Sequence, residues 1–375
     1  MRYCVVGPAH PLRGGIAHHT ALLCRHLAER HEVHAVTFKR LYPAILFPGK
    51  SQTDPSAKPC TFRSSPLIDS LNPRTWAAAG RLIRDLAADW VLIQWWQPFL
   101  APCMASIASR ARARSRVAFI CHNVMPHERM PLARTLSLWA LRYGDGFIVH
   151  SEQDRRGLQE LLPGLPQEAV RKTIHPEYEL FPISGLARDE ARARLGIEGR
   201  MVLFFGLVRK YKGLMDLIAA MPLLKNRDVI CLVAGEFYDR KAKYDAMVRR
   251  IGFAAAKVRM VDRYIPNEEV EIYFAAADAV VLPYRMATQS GVAQIAFRFG
   301  RPVIATSVGG LPESIDDGRT GLLVPPQNPN ALAAAIDRYF DESLESRFSA
   351  EIRRDAGRFS WDRVIEAIES LEAAI

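Results

Sequence analysis

Arg209 and Lys212 stand three positions apart in residues 202–220, VLFFGLVRKYKGLMDLIAA, where an apolar run ends at Gly206 and a helical pattern resumes after Gly213. Arginine presents a planar fork of donors and lysine a compact point charge. Two such cations fixed at a strand end can neutralise a diphosphate leaving group as its bond breaks. Gly213 lets the backbone turn tightly behind them. A solvated Arg-Lys-Tyr-Lys turn is the competing reading of the same residues.

Other residues with usable chemistry also follow strand-like runs. Gly14 and Gly15 come after the first run and just before a helix, where backbone N–H groups can approach a phosphate. Their spacing is not G-x-G-x-x-G, which disfavours a dehydrogenase-type dinucleotide site. His122 and Asn123 follow the run 117–121, and polar residues just beyond a parallel strand sit where they can hydrogen-bond sugar hydroxyls. His127 is a second candidate in the same segment; a lone histidine is otherwise a structural residue. Trp95 and Trp96 end another run and can stack on a sugar face or meet a lipid headgroup. Strand alternation sends one of the two to the core, so at most one touches a ligand. Thr288 or Ser290 can cap the next helix, leaving Gln289, Ser290, Gly291 and Val292 to offer N–H groups to whatever Arg209 and Lys212 hold. The sequence has no D-x-D, H-E-x-x-H or G-x-x-x-x-G-K-[ST] run and no serine nucleophile elbow, so neither a metal nor another cofactor is expected.

Two series of strands must position these groups. Runs at 3–6, 33–38, 90–94, 117–121 and 147–149 alternate with helical patterns, and runs at 202–205, 229–234, 258–261, 279–282, 303–305 and 321–324 repeat the arrangement. Such alternation specifies parallel α/β sheets. The expected fold is therefore two Rossmann-like, doubly wound domains facing across a cleft, which suits 375 residues at about 150 per domain. The polar, proline-bearing stretch 41–73 reads as one long loop, functional or mobile. Residues 361–375 read as an amphipathic helix.

A hydrophobic content of 49% with 24% charged residues is that of a globular protein. No apolar stretch approaches the roughly 18 residues that span a bilayer. The short apolar run at the N-terminus reads as a strand, not a signal peptide, so the expected location is the cytosol. Six cysteines without a C-x-x-C pair read as reduced thiols. The net charge of +10 is uneven: residues 1–180 hold 23 Lys+Arg against 14 Asp+Glu, and residues 181–375 hold 27 against 26. Arg110, Arg112, Arg114 and Arg116 make the excess local. Such a patch attracts anionic lipid or nucleic acid, each cation contributing about 1 kcal/mol near a charged surface. The absence of interleaved aromatic residues argues against nucleic acid, and a solvated helix end is the competing reading.

Taken together, FFGLVRKYKG ending at Gly213, RYIPNEEVEIYFAAADAVVLPY at 263–284, GRPVIATSVGGLPESIDDGRTGLLVPP at 300–326 and FSW at 359–361 resemble the retaining glycosyltransferases of family 4, the glycosyltransferase group 1 proteins of GT-B architecture. The resemblance implies an acceptor-binding domain at 1–183, a nucleotide-sugar-binding domain at 184–358 and a helix at 359–375 that crosses back to the first domain. It implies that Arg209 and Lys212 bind the donor diphosphate, that Gly15 lies against it and that His122 meets the donor sugar near its reacting carbon. The chain departs from the family pattern in two ways. Leu207 occupies the place where the arginine usually sits. Two glutamates eight positions apart, usual in the family, are here Ala287 and Ile295, which leaves their work to Gln289, Ser290 and backbone N–H groups of the segment 288–292. The expected activity is metal-independent, retaining transfer of a hexose from a nucleotide diphosphate sugar to a saccharide or lipid-linked acceptor in surface polysaccharide assembly, with peripheral contact at the inner face of an anionic membrane. The competing readings are a non-catalytic sugar-nucleotide-binding protein of the same fold, a phosphorylase or epimerase of similar architecture, and a nucleic-acid binder.

Overall fold

Apolar runs bounded by glycine and polar turns become short buried strands, most of them joined to the next by a helix. The computed structural model describes residues 1–43, 47, 49–57, 60–126 and 130–374, so His127 lies outside the described residues. The chain divides into a first unit, Met1–Pro176 with Ser360–Ile375, and a second unit, Glu177–Phe359.

The first unit holds β1 (Arg2–Gly7), β2 (Glu32–Arg40), β3 (Ser64–Asp69), β4 (Trp90–Trp95), β5 (Arg116–Cys121), β6 (Gly146–Val149) and β7 (Val170–Lys172). They form one parallel sheet in the order β3-β2-β1-β4-β5-β6-β7. Cys4, Val6, Ile93 and Phe119 join one core with the helices Pro73–Asp85 and Ala101–Ala111. The alternate residues Val5, Leu92 and Ile120 are equally buried, so both faces of the sheet are covered. The helices Gly15–Leu27 and Trp361–Glu372 pack together on this unit. The second of them is tied there by His31 to Glu369 at 2.9 Å, Arg30 to Asp362 at 3.0 Å and Arg171 to Ser370 at 2.9 Å.

The second unit holds β8 (Met201–Phe205), β9 (Ile230–Ala234), β10 (Val258–Val261), β11 (Ala279–Leu282), β12 (Val303–Thr306) and β13 (Gly321–Val324), all parallel in the order β10-β9-β8-β11-β12-β13. In each sheet the strand order reverses once, between β1 and β4 and between β8 and β11. Ligands of such sheets bind outside the carboxyl ends of the strands at that switch.

Two readings need correction. The stretch 41–73 is not one long loop, because β3 runs through it; as an edge strand, it is only partly buried and tolerates Pro66. The division between units falls after Pro176, not after 183. Glu177 accepts from Arg298 at 3.2 Å, and the Phe181 carbonyl accepts from the same guanidinium, so residues 177–183 belong to the second unit. Phe359 also belongs there, stacked on Phe297 with ring centroids 5.3 Å apart. All six cysteines are free thiols. No helix among the described residues is long and apolar enough to cross a membrane.

Candidate active site

The exits of β8 and β11 lie side by side at the switch of the second sheet, and the cationic turn sits on the first of them. Residues after β8 are laced to those after β9: Val208 N–H donates to the Glu236 carbonyl at 2.9 Å, and Tyr238 N–H returns a bond to the Val208 carbonyl at 3.0 Å. The chain then forms the short 3-10 turn Lys210–Lys212 and reverses at Gly213. Gly213 has φ +68°, and a Cβ there would lie 1.8 Å from the Pro283 carbonyl oxygen, so only glycine lets this turn dock against the β11 exit. Arg285, beyond Pro283, locks the contact by donating from Nε and one terminal guanidinium nitrogen to Asp216 at 2.8 and 2.7 Å.

Arg209 begins the turn with its guanidinium 5.0 Å from the ring centre of Tyr238. The Lys212 ammonium reaches back toward the end of β8. It lies 3.5 Å from where a Cβ of Gly206 would be and 5.5 Å from the ring centre of Tyr284. Among the described residues it makes no hydrogen bond and no ion pair. Burial, reinforced by the neighbouring Arg209 charge, holds its pKa down to about 8. A half-buried ammonium with no counter-ion is a costly arrangement unless an anion completes it.

The helix Gly291–Arg298 starts after the β11 exit. Ser290 caps it, accepting from Ala293 N–H at 3.3 Å, and its hydroxyl meets the Tyr284 hydroxyl at 3.5 Å. The Ser290 and Gln289 side chains are thus engaged with the protein, since Gln289 Oε1 accepts from Ser314 at 3.2 Å. What this segment offers an anion is backbone N–H at Gly291 and Val292, where the helix has no use for them. Gly291 has no room for a side chain: a Cβ would lie 2.8 Å from the Tyr178 ring. Ala287 and Ile295 are buried apolar side chains, so neither contributes a hydrogen bond to a donor.

In the first unit, Gly14 has φ +116° and opens the helix Gly15–Leu27 with no side-chain cap; a Cβ there would meet nothing within 4 Å. Its N-terminal turn follows β1, at the switch of the first sheet. Trp95 is 1% exposed and belongs to the core, as the alternation of β4 requires. Trp96 is the half-buried member of the pair, its indole donating to the Tyr42 hydroxyl at 3.1 Å. Asn123 is partly exposed directly after β5. His122 follows directly on β5. It is 6% exposed, its Nε2 donates to Gln94 Oε1 at 2.5 Å, and His19, His150 and His175 surround it. Arg110, Arg112, Arg114 and Arg116 are exposed before and at the start of β5, the opposite end of that strand from His122.

Comparison with known proteins accords with this fold. A model of Glycosyltransferase Family 4 matches residues 13–171, and a model of Glycosyl transferases group 1 matches residues 199–342. The D-inositol 3-phosphate glycosyltransferase of Corynebacterium aurimucosum is 32% identical over 240 residues, which cover 61% of this chain and 56% of that protein. The chain thus spans about half the length of the curated relatives it matches. Among solved structures, HepE of Anabaena in complex with UDP-glucose superposes with a TM-score of 0.77 at 16% identity over 99% of both chains. Sucrose-phosphate synthase of Thermosynechococcus elongatus does so with a TM-score of 0.74 at 20% identity over the whole of both. The fold is that of the GT-B glycosyltransferases, and the chain belongs to the group 1, family 4 glycosyltransferases.

Proposed function

We propose that this protein transfers a sugar from a nucleoside diphosphate donor to an acceptor hydroxyl with retention of anomeric configuration. The observation that carries the reading is the Lys212 ammonium, enclosed without a counter-ion beside Arg209 and a helix N-terminus at the β8–β11 switch. That arrangement fits a diphosphate whose charge grows as the bond to the sugar breaks. The anomeric carbon loses the phosphate oxygen and gains the acceptor oxygen on the same face, and the departing phosphate oxygen takes the acceptor proton. Arg209, Lys212 and the N–H groups of Gly291 and Val292 stabilise the leaving group, so the transfer needs no metal at the diphosphate.

The UDP-glucose bound to HepE and the glycosyltransferase name of the Corynebacterium protein support a sugar-nucleotide donor. For the acceptor we favour a saccharide or lipid-linked saccharide reached at the cytoplasmic face of a membrane, with Asn123 and Trp96 toward it. What supports membrane contact is the helix Ala133–Leu141 with its N-cap Leu132, where Leu132, Leu138 and Trp139 are 71%, 40% and 38% exposed and Arg134 and Arg142 lie alongside them. Apolar side chains flanked by cations suit an anionic interface.

The second reading, a non-catalytic sugar-nucleotide binder, is favoured by the apolar Ala287 and Ile295. Incubation with a panel of sugar nucleotides separates the two. The proposed activity releases the matching nucleoside diphosphate, slowly with water and faster with a saccharide or polyol acceptor. Binding of a sugar nucleotide without any release would establish the second reading instead.

A further inference from the structure

The helix Gly291–Arg298 has its N-terminus at the β11 exit, and its other end lines a cavity of about 380 Å³ that lies wholly within the second unit. That volume is in the range of small-molecule sites. Phe297, Phe299 and Phe359 give the cavity apolar walls, and Gln294, Arg301 and Arg353 bring polar groups to it. Gln294 is 0% exposed, and neither its amide oxygen nor its amide nitrogen has a hydrogen-bond partner. Arg301 donates from its terminal nitrogens to Glu345 at 3.2 Å and to the Ala275 carbonyl at 2.9 Å, but its Nε is buried and unpaired. Burial, reinforced by the neighbouring Arg188 charge, holds the Arg301 pKa below the usual arginine value. Arg353 is exposed, with no hydrogen bond or ion pair among the described residues. The carboxylates that line the cavity are engaged elsewhere: Glu271 accepts from the N–H groups of Ser184, Gly185 and Leu186, and Glu177 pairs with Arg298 at 3.2 Å.

We propose that this cavity is a second ligand site, separate from the diphosphate site, and that it takes a nucleoside monophosphate, with the base edge on Gln294 and the phosphate at Arg301 and Arg353. Gln294 is the residue that needs explanation. A buried amide that offers a donor and an acceptor and receives neither carries a desolvation penalty, which a ligand with the complementary pair of groups offsets. An adenine edge is such a complement, since an amino donor there adjoins a ring-nitrogen acceptor and a glutamine side chain meets both at once. Phe297 and Phe359, stacked on each other, and Phe299 supply apolar surface suited to a flat aromatic body. Guanidinium groups match the geometry of a phosphate, and these two have donors to spare. An aliphatic ligand would leave Gln294 unsatisfied, and an inorganic anion would leave both the amide and the aromatic walls unused. The two sites meet opposite ends of one eight-residue helix, so each can be altered without touching the other.

The proposal does not depend on the diphosphate reading, and its test needs no turnover. Full-length protein is titrated calorimetrically with AMP and with ribose 5-phosphate, as wild type, Gln294→Leu, Arg353→Ala and Arg209→Ala. The expected result is one AMP per chain, bound equally well by wild type and Arg209→Ala. Gln294→Leu, which removes both hydrogen bonds to the base, should bind AMP about ten- to a hundredfold more weakly. Arg353→Ala, at an exposed residue without a partner, should fold normally and lose about tenfold. Ribose 5-phosphate keeps the phosphate and lacks the base, and wild type should bind it at least about tenfold more weakly than AMP. If Gln294→Leu does not fold, Arg353→Ala and the ribose 5-phosphate comparison decide the matter. No uptake of AMP by wild type, an affinity that Gln294→Leu and Arg353→Ala leave unchanged, or equal binding of ribose 5-phosphate would overturn the proposal. Uptake that only Arg209→Ala abolishes would overturn it too, by placing the nucleotide at the cationic turn.

Discussion

Lys212→Ala is expected to lower turnover of a sugar-nucleotide donor by about a hundred- to a thousandfold, the usual cost of removing one group that stabilises a developing anion. The same substitution should leave the melting temperature unchanged or slightly raised. The ammonium makes no hydrogen bond or ion pair among the described residues, lies beside the like charge of Arg209 and loses hydration without compensation, so nothing in the fold depends on it. A residue whose removal costs activity and spares stability is placed for a ligand. Steady-state kinetics with a calorimetric scan checks both halves, and near-normal turnover by a folded variant would remove Lys212 from the site.

Asp278→Ala should show the opposite pattern. Its carboxylate, buried at the start of β11, accepts from Arg192 at 2.7 Å, from Arg188 at 3.1 Å and from Met201 N–H at 2.6 Å, which pins the start of β8. Removing it strands a largely buried Arg192 and the backbone N–H, a change that costs about 3–5 kcal/mol. At roughly 2–4 °C per kcal/mol for a unit of this size, melting should fall by about 10 °C. The site loops leave the other ends of the same two strands, so the variant should keep nucleotide affinity at low temperature. An unchanged melting temperature would show that the network does not hold these strands.

What the sequence disclosed follows from where the physics is local. All six strands of the second sheet and five of the first announce themselves as apolar runs, because strands covered on both faces have no solvent side to alternate with. The two it hid are edge strands: β3 is half polar and β7 is three residues long. Arg209, Lys212 and Gly213 were legible because a glycine at a strand end and two cations behind it restrict one another over a few residues. The core position of one tryptophan of the 95–96 pair followed from alternation alone. The directions of Gln289 and Ser290 were not legible, since their partners Ser314 and Tyr284 come from other segments. Least legible of all was the histidine cluster. No short motif joins residues 19, 122, 150 and 175; the strand order β1-β4-β5-β6-β7 does.

The central claim is that Arg209 and Lys212 hold a diphosphate, and its most direct test is calorimetric binding of ADP, GDP and UDP from pH 7 to 9.5, with wild type and Arg209→Ala. An anion favours the protonated lysine, and the free ammonium titrates at about 8. Affinity for one nucleotide should therefore be highest below pH 8 and fall by up to tenfold per pH unit above it. Arg209→Ala should bind that nucleotide far more weakly and move the fall to higher pH, because the like charge that helps depress the lysine is gone. Binding that ignores both the pH and the substitution would place the nucleotide elsewhere and contradict the account.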